Sequence, residues 1–129
     1  MSTAPLRLSV IVPTHNNRAT LGLCLDALAA SAYQPDEIIV VDDGSTDGSG
    51  DLARERGARL LWLDGPARGP AFARNRGAEA ARGELLLFVD ADVTVHPDTL
   101  GRIQQVMGEN PEWAAIFGSY DDDPPARAL

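Results

Sequence analysis

No lysine occurs in the 129 residues, and all 11 basic residues are arginine. Basic charge is scarce altogether: the formal net charge is -8 and the pI is about 4.5. The overall field therefore opposes polyanions, which argues against a DNA, RNA or anionic membrane partner. A small anionic ligand remains compatible through local arginines, backbone N–H groups or a metal ion. The single cysteine, Cys24, excludes an internal disulfide, fits a reducing compartment and reads as an inert buried thiol. No apolar run is long enough for a signal h-region or a membrane span, so the chain reads as soluble and cytoplasmic, with membrane segments elsewhere in a longer protein left open.

What is present suits one soluble domain: 44% of residues are hydrophobic and 23% charged. Apolar, β-branched runs predict strands at Arg7–Val12 (ending at Pro13), Glu37–Asp42, Arg59–Leu63, Glu84–Val89 and Trp113–Gly118. Between them, helices are predicted from a cap at Asn16 or Asn17, from Thr46 or Asp47 to about Arg56, from Pro70 to Arg82, and from Pro97 and Asp98 to about Gly108. Strand and helix alternate with continuous apolar strands, which predicts an α/β fold: a mostly parallel sheet with helices on both faces. Residues 1–120 form the predicted domain, and 121–129, DDDPPARAL, are expected to be a disordered tail at a truncation point.

In such sheets, ligands bind outside the carboxyl ends of the strands. There the predicted strands run into PTHN, DDGS, DGPARG and DAD. Asp90 and Asp92, two positions apart, would share one face of a continuing strand. Two such carboxylates repel unless a cation holds both ionised, and hard oxygen ligands suit Mg2+ or Mn2+ with phosphate oxygens completing the shell. Of Asp42 and Asp43, one is expected to face the crevice and accept hydrogen bonds from a nucleobase or ribose. Arg68, Arg74 and the N–H groups at the start of the helix from Pro70 offer a place for a pyrophosphate. Asn75 is a poor helix former in an Ala-rich run, as if placed for a hydrogen bond. Arg76 and Arg82 read as surface partners of Glu79. His15 lies on the same rim, while His96 reads as a turn residue.

Four blocks in order, VIVPTHN, VVDDGSTDGS, GPAFARNRGAEAARGE and LLLFVDADVTVHPDTL, resemble the family 2 glycosyltransferases of the GT-A fold, from about Leu8 to Phe117. The resemblance implies a Rossmann-like GT-A half-domain that binds a nucleotide-sugar, usually a UDP-sugar, with a divalent metal. It implies Pro13 and Thr14 bordering the base, Asp43 reading uracil with Asp42 beside it, and Asp90 near the ribose or donor sugar. Asp92 of the DxD motif would be the metal ligand, with Asp90 as its companion, and Arg68, Arg74 and Asn75 would line the diphosphate and sugar.

The family's general base lies well beyond DxD, so no catalytic base is assigned in this chain. It is expected to be the donor-binding part of an enzyme, inactive alone, with an unknown acceptor (glycan, lipid or small molecule). Self-association through the truncated face is a further expectation. A non-catalytic nucleotide-sugar binding module is the alternative. A haloacid-dehalogenase-type phosphotransferase shares DxDxV, but there the motif opens the domain. A receiver domain needs a lysine, and a sugar nucleotidyltransferase a Gly-rich basic loop where PTHNN stands.

Overall fold

The structure, a computed structural model, describes residues 5–119. The predicted tail 121–129 lies outside them. Strands β1 (Leu8–Thr14), β2 (Glu37–Asp42), β3 (Arg59–Trp62) and β4 (Leu85–Phe88) form one sheet in the order β3-β2-β1-β4. All three pairings are parallel. Helices α1 (Arg18–Ala29), α2 (Ser49–Glu55), α3 (Pro70–Ala80) and α4 (Thr99–Glu109) alternate with the strands. The α/β alternation expected from the sequence is therefore the fold.

The period-2 rule for strands divides the core. Leu8, Val10, Val12 and Val40 point to one face and pack with Leu21, Cys24, Leu25 and Leu28 of α1, Leu52 and Ala53 of α2, and Leu100 of α4. Ile11, Ile39 and Val41 point to the other face and pack with Ala73 of α3. Gly77 makes that second contact close: a Cβ there would lie 2.5 Å from Ile11 Cγ2 and 3.0 Å from Val41 Cγ2. A hydrogen at this position lets α3 lie directly on the sheet.

Because β2 and β3 lie to one side of β1 and β4 to the other, the strand order reverses between β1 and β4. In such sheets the carboxyl ends of the strands beside such a reversal are the usual ligand position.

Three departures from expectation bear on the site. β1 runs through Pro13, which pairs with Val41, to Thr14. Ile11 O accepts from Val89 N–H on the β4 side, whereas Thr14 O accepts from Asp43 N–H on the β2 side. By alternation, Pro13 turns its missing N–H toward β4, whose ladder has already ended at Ile11–Phe88, so no bond is lost.

β4 stops at Phe88, and Asp90 to Val93 form a turn closed by Val93 N–H donating to Asp90 O at 3.0 Å. The strand-alternation reason for placing Asp90 and Asp92 together therefore fails; a turn places them. The expected fifth strand is also absent. Residues 113–119 carry no regular structure and are all exposed, Phe117 at 96%. Apolar composition stabilises a strand only through a ladder partner and a covering layer, and among the described residues this segment has neither.

Candidate functional site

The loops at the carboxyl ends are stapled to one another before any ligand is considered. Asn16, with φ 53°, takes the left-handed conformation that Asn tolerates, and its Oδ1 accepts from Thr46 N–H at 2.8 Å. Its own N–H donates to Ser45 Oγ. Asp47 joins the starts of two helices: Oδ2 accepts from Arg18 N–H and Oδ1 from Ser49 N–H, both at 3.0 Å. Gly48 holds the N-cap position of α2, with Asp47 supplying the carboxylate just before it. The β1–α1 and β2–α2 loops thus form one rim.

Asp42 and Asp43 divide by strand alternation. Asp42 faces α2 and is fully buried; Oδ1 accepts from Ser45 N–H at 2.8 Å, while Oδ2 has no partner among the described residues. It shapes the turn from inside and presents no carboxylate to the crevice. Asp43 faces α3. Its carboxylate accepts from Arg68 N–H (2.9 Å to Oδ2) and Gly69 N–H (2.8 Å). These are backbone donors at the start of α3, so the α3 N-terminus expected to attract a pyrophosphate already carries a carboxylate from β2. Sequence reasoning missed this because Asp43 and Arg68 are 25 residues apart. Gly44 completes the contact: with φ 78°, a Cβ there would stand 3.2 Å from Gly65 O. His15 Nδ1 lies 2.7 Å from Asp43 O and donates to it, which leaves Nε2 as the acceptor.

Pro13 and Thr14 are buried at the end of β1, and Thr14 Oγ1 donates to Asn17 Oδ1. Arg68 turns its guanidinium over the Phe72 ring, 4.7 Å from the centroid. Arg74, half-exposed on α3, donates from Nη2 to Asp90 Oδ1 at 2.8 Å. Asn75 is exposed, and no hydrogen bond engages its side chain among the described residues, so the bond expected from its poor helix propensity is not formed. The Arg76–Glu79 pair forms as expected; Arg82 instead donates its backbone N–H to Glu37 Oε2.

Asp90 is partly exposed and Asp92 exposed. Both lie on the side of the buried Cys24 thiol, whose Sγ is 3.7 Å from Asp90 O. Burial, with the Asp92 and Asp90 charges acting the same way, pushes that thiol up to about 12. At that value it stays protonated and inert at neutral pH. No group of three His, Cys, Asp or Glu side chains converges to hold a metal among the described residues. Two carboxylates alone still fit a cation that draws its other ligands from water and a diphosphate.

A separate groove of about 410 Å³ is lined by Ala32, Tyr33, Pro97, Gly101, Arg102 and Gln105. Since α1 runs back from the end of β1, residues beyond its C-terminus lie at the opposite edge of the sheet from the crevice. No helix among the described residues is long and apolar enough to cross a membrane.

Comparison with known proteins identifies the family. The family model described as glycosyl transferase family 2 matches residues 9–127. A PGL/p-HBAD biosynthesis glycosyltransferase of Mycobacterium bovis (strain BCG / Pasteur 1173P2) is 37% identical over 115 residues, covering 85% of this chain and 45% of that protein. The chain thus spans less than half of that relative's length. S. aureus TarS in complex with UDP-GlcNAc superposes with a TM-score of 0.74 at 27% identity, covering 91% of this chain and 38% of the other. The mannosyltransferase PcManGT from Pyrobaculum calidifontis, solved with GDP-Man and Mn2+, gives 0.70 at 31% identity, covering 92% and 35%.

Proposed function

The chain belongs to glycosyl transferase family 2, and from that premise we propose that it is the donor-binding part of a metal-dependent enzyme that uses a nucleotide-diphosphate sugar, a UDP-sugar in the first instance. The observation that carries this reading is the Arg74–Asp90 ion pair, with Asp92 in the same turn as Asp90 and Asp43 just after β2, beside the strand reversal. The related structures were solved with UDP-GlcNAc or with GDP-Man and Mn2+, which supports the same ligand class here.

Each residue then has a task. Pro13, Thr14 and His15 border the nucleobase, with Asp43 as the acceptor at its edge. Asp42 acts from beneath, holding the 42–45 turn. Asp90 faces the ribose or donor sugar and, with Asp92, holds Mn2+ or Mg2+. Arg74 lies toward the diphosphate, with Arg68 and Asn75 at its margin. When bound, the metal supplies Lewis-acid neutralisation of the charge that develops on the departing nucleoside diphosphate. Arg74 adds charge-assisted hydrogen bonds to the same oxygens. The acceptor and the base that deprotonates it are assigned to the part of the family fold that this chain does not cover. Accordingly, the 129 residues alone bind donor without turning it over, and their exposed Phe88, Trp113 and Phe117 favour self-association.

Calorimetric titration of UDP into the chain, with Mn2+ and then with chelator, tests the reading. Binding with Mn2+ that disappears on chelation is expected. A folded chain that binds UDP in neither condition would remove the donor site from it.

A further inference from the structure

Donor binding by itself leaves the Arg74–Asp90 ion pair unexplained. One of the two carboxylates assigned to the metal is already engaged by a protein cation at 2.8 Å. The pair contributes little to stability, because the two side chains are 37% and 48% exposed and water screens their attraction. The effect on ligands is larger. Asp92 is exposed, no described residue bonds its carboxylate, and no third ligating side chain joins the two acids. A divalent ion arriving alone therefore meets one free carboxylate and one held by a guanidinium.

A diphosphate changes both sides of that balance. It brings oxygen ligands for the ion, and it offers Arg74 an acceptor of higher charge that a planar guanidinium can grip with two bonds. Arg74 has room to exchange one partner for the other. Its guanidinium is partly exposed, while its backbone is fixed: it lies five positions beyond Gly69, whose N–H is anchored by Asp43.

Resting on the donor-site reading above, we infer that Arg74 is a positioning residue that sets the order of binding. It withholds Asp90 from the free cation and releases it only when cation and diphosphate enter together. Metal and nucleotide affinities are then coupled: each strengthens the other by the same factor, and part of that factor is the exchange of Arg74 between Asp90 and the diphosphate.

The test is an electron paramagnetic resonance titration of Mn2+ into the wild-type chain, Arg74→Gln, Arg74→Lys and Asp92→Ala, each with and without UDP. The wild type is expected to hold Mn2+ weakly alone and at least about tenfold more tightly with UDP. Arg74→Gln should tighten Mn2+ alone by roughly three- to tenfold and shrink the gain from UDP, because the competing cation is gone. Arg74→Lys keeps the charge and should stay near the wild type for Mn2+ alone. Unchanged or weaker binding of Mn2+ alone by Arg74→Gln overturns the inference, and if Asp92→Ala still loses the UDP-dependent binding, the donor site survives. If Asp92→Ala behaves as the wild type throughout, the donor-site reading falls and this inference falls with it.

Discussion

Replacing Asp43 with alanine is expected to lower the unfolding free energy by about 2–3 kcal/mol and to remove UDP binding at concentrations that saturate the wild type. Both losses have one cause. Asp43 is only 4% exposed, and its carboxylate accepts from Arg68 N–H and Gly69 N–H. Without it, two backbone donors at the start of α3 lose a charged acceptor in a partly buried place, and the β3–α3 loop loses its tie to β2. Asparagine offers one oxygen and puts an NH2 group where the second accepted a bond, so Asp43→Asn should lose roughly half as much stability. Urea unfolding followed by circular dichroism measures the first effect, and calorimetry the second. An Asp43→Ala chain with the wild-type midpoint would mean that water satisfies those amides and that Asp43 is not an anchor.

Asp92→Ala is expected to separate the same two quantities. The side chain is exposed, and no hydrogen bond or ion pair holds it among the described residues, so stability should change by no more than about 0.5 kcal/mol. Affinity for UDP in the presence of Mn2+ should fall on the order of a hundredfold, since only one carboxylate, Asp90, is left to hold the ion. With chelator present, wild type and variant should bind UDP equally weakly. A marked drop in stability would instead make Asp92 a structural residue of the 90–93 turn. Asp43 and Asp92 are thus expected to fail differently, one through the scaffold and one through the ligand.

Much of this was legible in the sequence, and each miss has a physical reason. Continuous apolar strands and helix punctuation are local signals, so the α/β alternation and the polar loops at the strand ends could be read directly. Asp90 and Asp92 were singled out by an alternation that does not hold: it was extended past Phe88, where the strand has already given way to a turn. The predicted strand Trp113–Gly118 failed because apolar composition says nothing about whether a neighbour exists to pair with it. Pro13 was taken as a breaker because the sequence does not reveal which side of β1 is unpaired at that level.

The distant contacts were invisible for a different reason. Asp43 bonding Arg68 and Gly69, or Arg74 bonding Asp90, follows from the order β3-β2-β1-β4, which no local pattern encodes. That one of Asp42 and Asp43 would face the crevice was expected from the sequence; adjacent residues at a strand end point to opposite faces, but which face α2 or α3 covers is not a local signal.

The central claim is a place: cation and diphosphate meet at Asp90 and Asp92, on the crevice side of the sheet. Amide NMR spectra of the chain with UDP, recorded while Mn2+ is added in small amounts, test it most directly, because the paramagnetic ion erases signals near it. The account predicts that Ala91, Asp92 and Val93 vanish first while Tyr33 and Gln105, in the groove at the opposite edge, persist. Early loss of Tyr33 and Gln105 with Ala91 to Val93 intact would contradict it.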